Sequence, residues 1–193
     1  TGPAGSALGV RLASVGFDVV IGSRSKYRAM EVVDKLHEKW GDRHLPIAAG
    51  DNAAAAAADV VVIATPWDAA YGTATSVAEA LDGKVVICMA NALTRIGNEF
   101  QPLVPPRGSV AASVQAAVPG CRVAAAFHHV PAKELGDLSH PIESDVLICS
   151  DFQDATDVTS DIVAKVPNMR PLDAGGLSQA TPIESFTAVL LQL

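Results

Sequence analysis

Three stretches of this sequence carry residue types at spacings that can do chemistry. The first is Thr1-Gly2-Pro3-Ala4-Gly5, where Gly2 and Gly5 stand directly ahead of a helix-forming run that continues to Val15. Glycines so placed form the tail of a G-x-G-x-x-G turn. Gly2 lets a ligand's phosphates approach the backbone, and Gly5 lets the helix pack close to a strand. The N–H groups at the start of such a helix can hold an anion. The second stretch is Gly22-Ser23-Arg24-Ser25-Lys26-Tyr27-Arg28, which puts a hydroxyl and three cations where an apolar run ends. The third is His128-His129, which closes the apolar run Ala124-Ala125-Ala126-Phe127.

The first two stretches bear on each other. A strand ending about 20 residues beyond a glycine loop is where a dinucleotide fold meets the adenosine ribose. An acidic residue there binds the ribose hydroxyls and repels a 2′-phosphate. Here Ser23 offers a hydroxyl and Arg24 a planar fork that matches a phosphate. Arg28 follows on the same face of the next helix, and Lys26 adds charge. The pattern predicts NADP. A solvated basic helix start is the alternative, but cations at a helix N-terminus are unfavourable without an anionic partner. Thr65-Pro66, after the long strand Asp59–Pro66, either lines the nicotinamide pocket or simply starts a helix. Cys88-Met89-Ala90-Asn91-Ala92-Leu93 also falls at a strand's carboxyl end, where open α/β sheets bind ligands.

For the histidine pair, adjacent residues on extended chain point to opposite sides. At most one of the two faces a given pocket, and no carboxylate stands at ligand spacing, so no metal site is expected. A structural histidine and a pocket-lining histidine remain open. No Ser–His–Asp order, nucleophile elbow or carboxylate pair is visible, so the chemistry must come from a cofactor.

The elements that must position these residues follow from the apolar pattern. Helical segments are expected from Pro3 to Val15, Arg24 to Trp40, after Asp51, Trp67 to Leu81, Ser109 to Val118, Phe152 to Lys165 and Ala180 to Leu193. Strands are expected at Asp18–Ile21, Pro46–Ala49, Asp59–Pro66 (apolar on both faces, hence fully buried), Lys84–Met89, Arg122–Phe127, Asp145–Ser150 and within Met169–Gly176. Asn91–Gly108 reads as a polar stretch. Such alternation defines an α/β protein with a Rossmann-type, doubly wound parallel sheet. Residues 1–125 read as the dinucleotide-binding unit, with its first strand missing from the sequence. Residues 126–193 read as a smaller α/β extension ending in a helix.

The chain's 193 residues, 49% hydrophobic and 18% charged, describe a globular protein, and a net charge of −7 argues against general nucleic-acid binding. Cys88, Cys121 and Cys149 each sit in or beside apolar runs, without metal spacing. They read as buried free thiols and point to a reducing, cytoplasmic location. No stretch reaches the length of a membrane span, and no signal peptide is visible.

The chain resembles the NADPH-dependent coenzyme F420 reductases, also called F420H2:NADP+ oxidoreductases. The residues that carry the resemblance are TGPAG with LGVRLASVGFDVVIGSR, VVVIATPW, PRGSVAASVQAAVP, AAAFHHVPAKELGDL, DVLICSD and RPLDAGGLSQATPIESFTAVLLQL. The resemblance implies hydride transfer between NADP(H) and the deazaflavin F420. Thr1, Gly2, Pro3 and Ala4 would hold the pyrophosphate, and Ser23, Arg24 and Arg28 the 2′-phosphate. Thr65 and Pro66 would lie near the nicotinamide, with Asn91 between the two cofactors. Asn91, Ala92, His128, Pro131, Ala132 and Ser185 would surround the deazaflavin, with Arg95, Arg107 and Lys133 as candidates for its polyanionic tail. No side-chain acid or base is needed, and His128 at most orients. A homodimer involving the last helix is also implied. Departures from the family pattern are the missing leading strand, the end at Leu193, Gly176 in place of a proline and Gln179 in place of an asparagine. Two other readings stand beside this one: another NADP-dependent Rossmann reductase of ferric or imine type, and a non-catalytic NADP-sensing module.

Overall fold

The structure is a computed structural model, and it describes residues 1–192; the end of the expected last helix, at Leu193, lies outside the described residues. Helix α1 (Pro3–Ser14) leads into β1 (Val19–Ser23), α2 (Lys26–Trp40) into β2 (Ile47–Asp51), and α3 (Asn52–Ala56) into β3 (Val60–Ile63). Helices α4 (Trp67–Thr75) and α5 (Ala78–Leu81) precede β4 (Val85–Cys88), and a hairpin of β5 (Leu93–Ile96) and β6 (Glu99–Pro102) follows. Then come α6 (Val110–Ala117), β7 (Arg122–Ala125), α7 (Ala132–Leu135), β8 (Ser144–Ser150), α8 (Gln153–Ala164), β9 (Met169–Asp173) and α9 (Ala180–Leu190).

The sequence pattern explains most of these elements. Gly2 and Pro3 start α1, with proline where its missing N–H costs nothing. The Asp51 side chain caps α3 by accepting from Ala54 N at 2.8 Å, so the alanine run is a helix. The single helix expected from Trp67 to Leu81 is two, α4 and α5. The Thr75 and Ser76 hydroxyls donate to the carbonyls of Tyr71 and Thr73 at 2.9 and 2.7 Å and compete with the helix ladder there. The polar stretch expected at Asn91–Gly108 contains the β5–β6 hairpin, whose turn places Gly97 at φ 62°.

Strands β3, β4 and β7 are parallel neighbours, and the sheet continues through β8 to β9. Its direction corrects one expectation. Strand β8 runs antiparallel to β7, with Ala125 opposite Cys149, so the sheet is mixed. A parallel return needs a crossover that spans the sheet. Helix α7 has only four residues, roughly 6 Å of rise. The chain therefore stays at the carboxyl end of β7 and enters β8 from there. Strand β9 is parallel to β8, with α8 between them in sequence.

Strand β1 pairs with β2 alone, and β3 pairs on one side only, with β4. Between β1 and β3 lies an apolar cleft of about 710 Å³. Val60 and Val62, expected to be fully buried, border this cleft and are only half-buried. Helix α1 bridges it. A Cβ on Gly9 would come within 2.7 Å of Ile21 Cδ1 on β1, and one on Gly5 within 2.9 Å of Ala64 Cβ just past β3. These two glycines let the helix lie flat on both edges.

Candidate functional site

Because β1, β3, β4 and β7 belong to parallel pairs, the segments that leave their carboxyl ends carry most of the residues singled out from the sequence. They build two unlike surfaces.

The first surface is the start of α1 and the end of β1. Gly2, the N-cap residue, is extended, and no side chain caps the helix. Its leading N–H groups therefore remain available to an anion. At the end of β1, Ser23 Oγ accepts from Ser25 N at 3.3 Å, and Ser25 Oγ from Arg28 N at 3.5 Å. Arg24, Lys26 and Arg28 are exposed, and none is in an ion pair among the described residues. Asp51, at the end of neighbouring β2, is spent on its helix cap.

The second surface follows β3, β4 and β7 and is largely buried. Thr65 Oγ1, Asn91 Oδ1 and both ring nitrogens of His128 have no hydrogen-bond partner. Buried polar atoms nearly always have partners, so these atoms are available to a ligand or to water. Asn91 Nδ2 donates to His128 O at 2.8 Å, which ties the end of β4 to the end of β7. Phe127, between β7 and His128, holds φ at 65° with its side chain buried in the core. A left-handed non-glycine residue costs about 1–3 kcal/mol, and here the surrounding core holds it and fixes the direction in which the chain presents His128. Burial pushes the His128 imidazole down to about 4, against a backbone contact at Met89 that works the other way. The ring is therefore neutral near pH 7. The two imidazoles part: His129 Nε2 lies 2.7 Å from Asp145 O of β8.

Pro131 caps the N-terminus of α7, with Ala132 as its first residue, while Ser185 lies half-buried on α9. Ala92 is buried in the core and presents no polar atom beyond its backbone. Pro66 is exposed at the start of α4. Of the cations considered for an anionic tail, Arg95 is turned back on its own hairpin, donating to Gly97 O at 3.2 Å and lying 5.9 Å from the Phe100 ring.

Two residues of α9 escaped the sequence reading. Thr187 Oγ1 lies 3.2 Å from Ile183 O, one turn back in α9, and 3.4 Å from His128 O, so its single proton is shared between its own helix and the carbonyl that Asn91 holds. Buried Glu184 accepts from Val110 N at 2.9 Å and Ala111 N at 3.2 Å, capping α6. Burial raises its carboxyl to about 7, against those two hydrogen bonds. Glu184 and Thr187 stand three apart and so share one face of α9, and that was the available signal. The thiols of Cys88, Cys121 and Cys149 are free and buried, as expected. Among the described residues no group of three or more His, Cys, Asp or Glu could hold a metal ion.

An uncapped, glycine-opened helix at the carboxyl edge of a parallel sheet is how Rossmann-class proteins hold a dinucleotide, and this chain is of that class. Residues 1–92 match the family model described as NADP oxidoreductase coenzyme F420-dependent. The whole chain is 35% identical to the F420-dependent NADP reductase of Methanothermobacter marburgensis, covering 88% of that protein, and 33% identical to the reductase of that name from Methanocaldococcus jannaschii, again covering 88%. The fold superposes with a TM-score of 0.79 on the crystal structure of a putative F420-dependent NADP-reductase from Arthrobacter sp. FB24, at 22% identity, over 100% of this chain and 87% of that one. The chain belongs to the F420-dependent NADP reductase family.

Proposed function

We propose that this protein is an oxidoreductase that moves a hydride between NADP(H) and the deazaflavin coenzyme F420. One observation carries the reading beyond family membership: the orphaned polar atoms of Thr65, Asn91 and His128, next to a helix start with free N–H groups and unpaired guanidinium groups. The donor set fits these ligands. The loop Thr1–Ala4 suits a pyrophosphate, and Ser23, Arg24 and Arg28 suit a 2′-phosphate. Thr65 Oγ1 and the turn at Pro66 suit the polar edge of a nicotinamide. Asn91 stands between the two subsites, and Ala92, His128, Pro131, Ala132 and Ser185 line the deazaflavin side.

When both cofactors are bound they supply the redox chemistry: NADPH, a proton and oxidised F420 become NADP+ and reduced F420, reversibly. The protein's residues bind, orient and keep the site dry. Asn91, pinned through Nδ2 to the His128 carbonyl, keeps Oδ1 free to accept from a ligand. Neutral His128 can offer one donor and one acceptor but no charge, and so orients without acting as an acid. The test is to mix the protein with NADPH and oxidised F420 and follow the deazaflavin's visible absorbance, with NADH as control. Rapid bleaching with NADPH and little with NADH is expected. Bound NADPH without bleaching would leave another reductase or a sensing module in place of this reading.

The same reading extends to the assembly. Phe186 and Val189 on α9, with Ile96 and Val104 at the hairpin, are more than half exposed, at 54%, 53%, 58% and 67%. These apolar side chains suit a second copy of the chain, and sedimentation of Val189→Glu against the parent tests it. The free thiols suit the cytoplasm. The cleft between β1 and β3 suits a further parallel strand, since each edge is unpaired and α1 already bridges the two. That strand would complete residues 1–125 as the NADP-binding unit, with residues 126–193 completing the deazaflavin side.

A further inference from the structure

Arg11 lies on α1, far along the helix from the glycine loop, and belongs to none of the motifs that bind ligand. It is nonetheless 7% exposed. Its guanidinium reaches across to the segment after His128. Nε donates to Leu135 O at 2.9 Å, and Nη2 donates to Glu134 O at 2.9 Å and Asp137 O at 2.7 Å. These carbonyls sit at and just beyond the end of α7, where a helix leaves its last acceptors unpaired. Arg43 adds one further bond of the same kind, to Leu138 O at 2.9 Å. The backbones meet closely beneath: a Cβ on Gly136 would lie 3.1 Å from Ala7 Cβ. Leu135 and Leu138 insert on the two sides of this contact, into different apolar clusters.

No carboxylate lies within ion-pair distance of Arg11 among the described residues. A buried cation held mainly by neutral carbonyls is a costly way to gain stability, because the Asp137 carboxylate, beyond ion-pair distance, offsets only part of its desolvation and Arg43 opposes it. What it provides is geometry. A planar fork with several donors fixes three carbonyls at once, which an apolar side chain or a lysine cannot do. The fixed segment is short and carries one four-residue helix, whose first turn holds Pro131 and Ala132. The fixing element is the helix whose other end presents Thr1–Ala4.

We propose that Arg11 is a positioning residue that sets the deazaflavin-side segment 128–138 at a fixed distance from the NADP loop, and so governs ring-to-ring alignment for hydride transfer. The inference rests on the function proposed above. Hydride transfer depends steeply on alignment, so a loosened clamp acts on the chemical step and on the affinity of the second cofactor. NADPH affinity is set at the other end of α1 and is spared.

The experiment compares Arg11→Met and Arg11→Lys with the parent, whose NADPH-dependent bleaching of F420 is itself the control on the functional reading. Arg11→Met is expected to raise KM for F420 about tenfold, and the NADPH dissociation constant stays within about twofold. The primary isotope effect on kcat with NADPH deuterated at the transferred position should increase. Arg11→Lys, which keeps a single donor centre, should fall between, and it serves if the methionine variant does not fold. Amide exchange across 128–138 reads the clamp without activity and should quicken at least tenfold in Arg11→Met, whatever the acceptor proves to be. A lower melting temperature or active fraction, with KM for F420, isotope effect and exchange as in the parent, would overturn the proposal and leave Arg11 a purely structural residue.

Discussion

The two surfaces beyond the carboxyl ends of the parallel strands differ in how they hold their polar groups. On the exposed surface, Ser23 to Arg28 stand at a strand end with cations that are in no ion pair among the described residues. On the buried surface, Thr65, Asn91 and His128 are embedded, and their unsatisfied atoms are out of water's reach. Exposed cations are solvated while they wait and cost nothing to keep. Buried orphans cost about 1–3 kcal/mol each until a ligand arrives. Charges suit the side that must select one dinucleotide by its phosphate. Desolvated, pre-aimed groups suit the side that must hold a planar ring against another. The embedded side is also anchored, since Asn91 Nδ2 holds the His128 carbonyl at 2.8 Å.

The sharpest consequence of that burial is a pair of opposed pH effects. Glu184 rises to about 7 from an ordinary 4.5, so its contribution is fully present below 4.5 and is lost as pH rises through 7. His128 falls to about 4 from 6.5, so its contribution is present above 6.5 and is lost as pH falls through 4. Each is worth at most about 3 kcal/mol, and over the shared window the two oppose each other. In urea unfolding at stepped pH, the stability of Glu184→Gln relative to the parent should rise by up to this amount between pH 4.5 and 7. His128→Asn relative to the parent should gain instead as pH falls from 6.5 to 4. Parallel curves for parent and variants would show that neither group titrates as its burial implies.

The exposed side should give an effect nearly as large, but only with ligand. Arg24→Ala is expected to weaken NADPH binding about 100-fold, or ~2.8 kcal/mol, and NADH binding hardly at all. Calorimetric titration with both nucleotides checks this. Equal losses would mean that the cations serve the fold or the general field and do not read the 2′-phosphate.

The same contrast explains what could be read from the sequence. Charges at a strand end are local facts: the strand was expected to end at Ile21 and the helix to begin at Arg24, whereas Ser23 closes β1, Arg24 lies between β1 and α2, and Arg28 is in the first turn of α2. The helices and strands were legible because alanine runs, valine runs and caps are local as well. Strand direction was not. The reversal of β8 goes with the short α7, and the contacts that seat that segment join residues more than 90 positions apart, from Arg11 and Arg43 to the carbonyls of residues 134–138. The cleft between β1 and β3 likewise appears only when the two edges are seen together. The hairpin was legible in principle, since Gly97-Asn98 between Ile96 and Phe100 is a turn signal. Glu184 and Thr187 were masked by the apolar character of their helix.

Within the buried side, His128→Ala should raise KM for F420 about tenfold while the NADPH dissociation constant stays nearly unchanged. Removing the ring also removes two orphaned nitrogens from the core, so the variant should melt no lower than a cavity of that size requires. Steady-state kinetics with each substrate varied in turn separates the two subsites. A large change in NADPH affinity would move His128 to the other side of the comparison.

The smallest expected effect lies where the two kinds of construction meet. Ser23 is half-buried, and its Oγ accepts a long hydrogen bond from Ser25 N at 3.3 Å, which leaves the hydroxyl proton free to donate. If that proton goes to a 2′-phosphate, Ser23→Ala should weaken NADPH about threefold, or ~0.7 kcal/mol, and leave NADH untouched. If the hydroxyl only shapes the turn ahead of α2, both nucleotides should weaken together and the melting temperature should drop with them. The ratio of the two affinities therefore decides whether the phosphate site is made of cations alone or also includes an oriented hydroxyl on the strand itself.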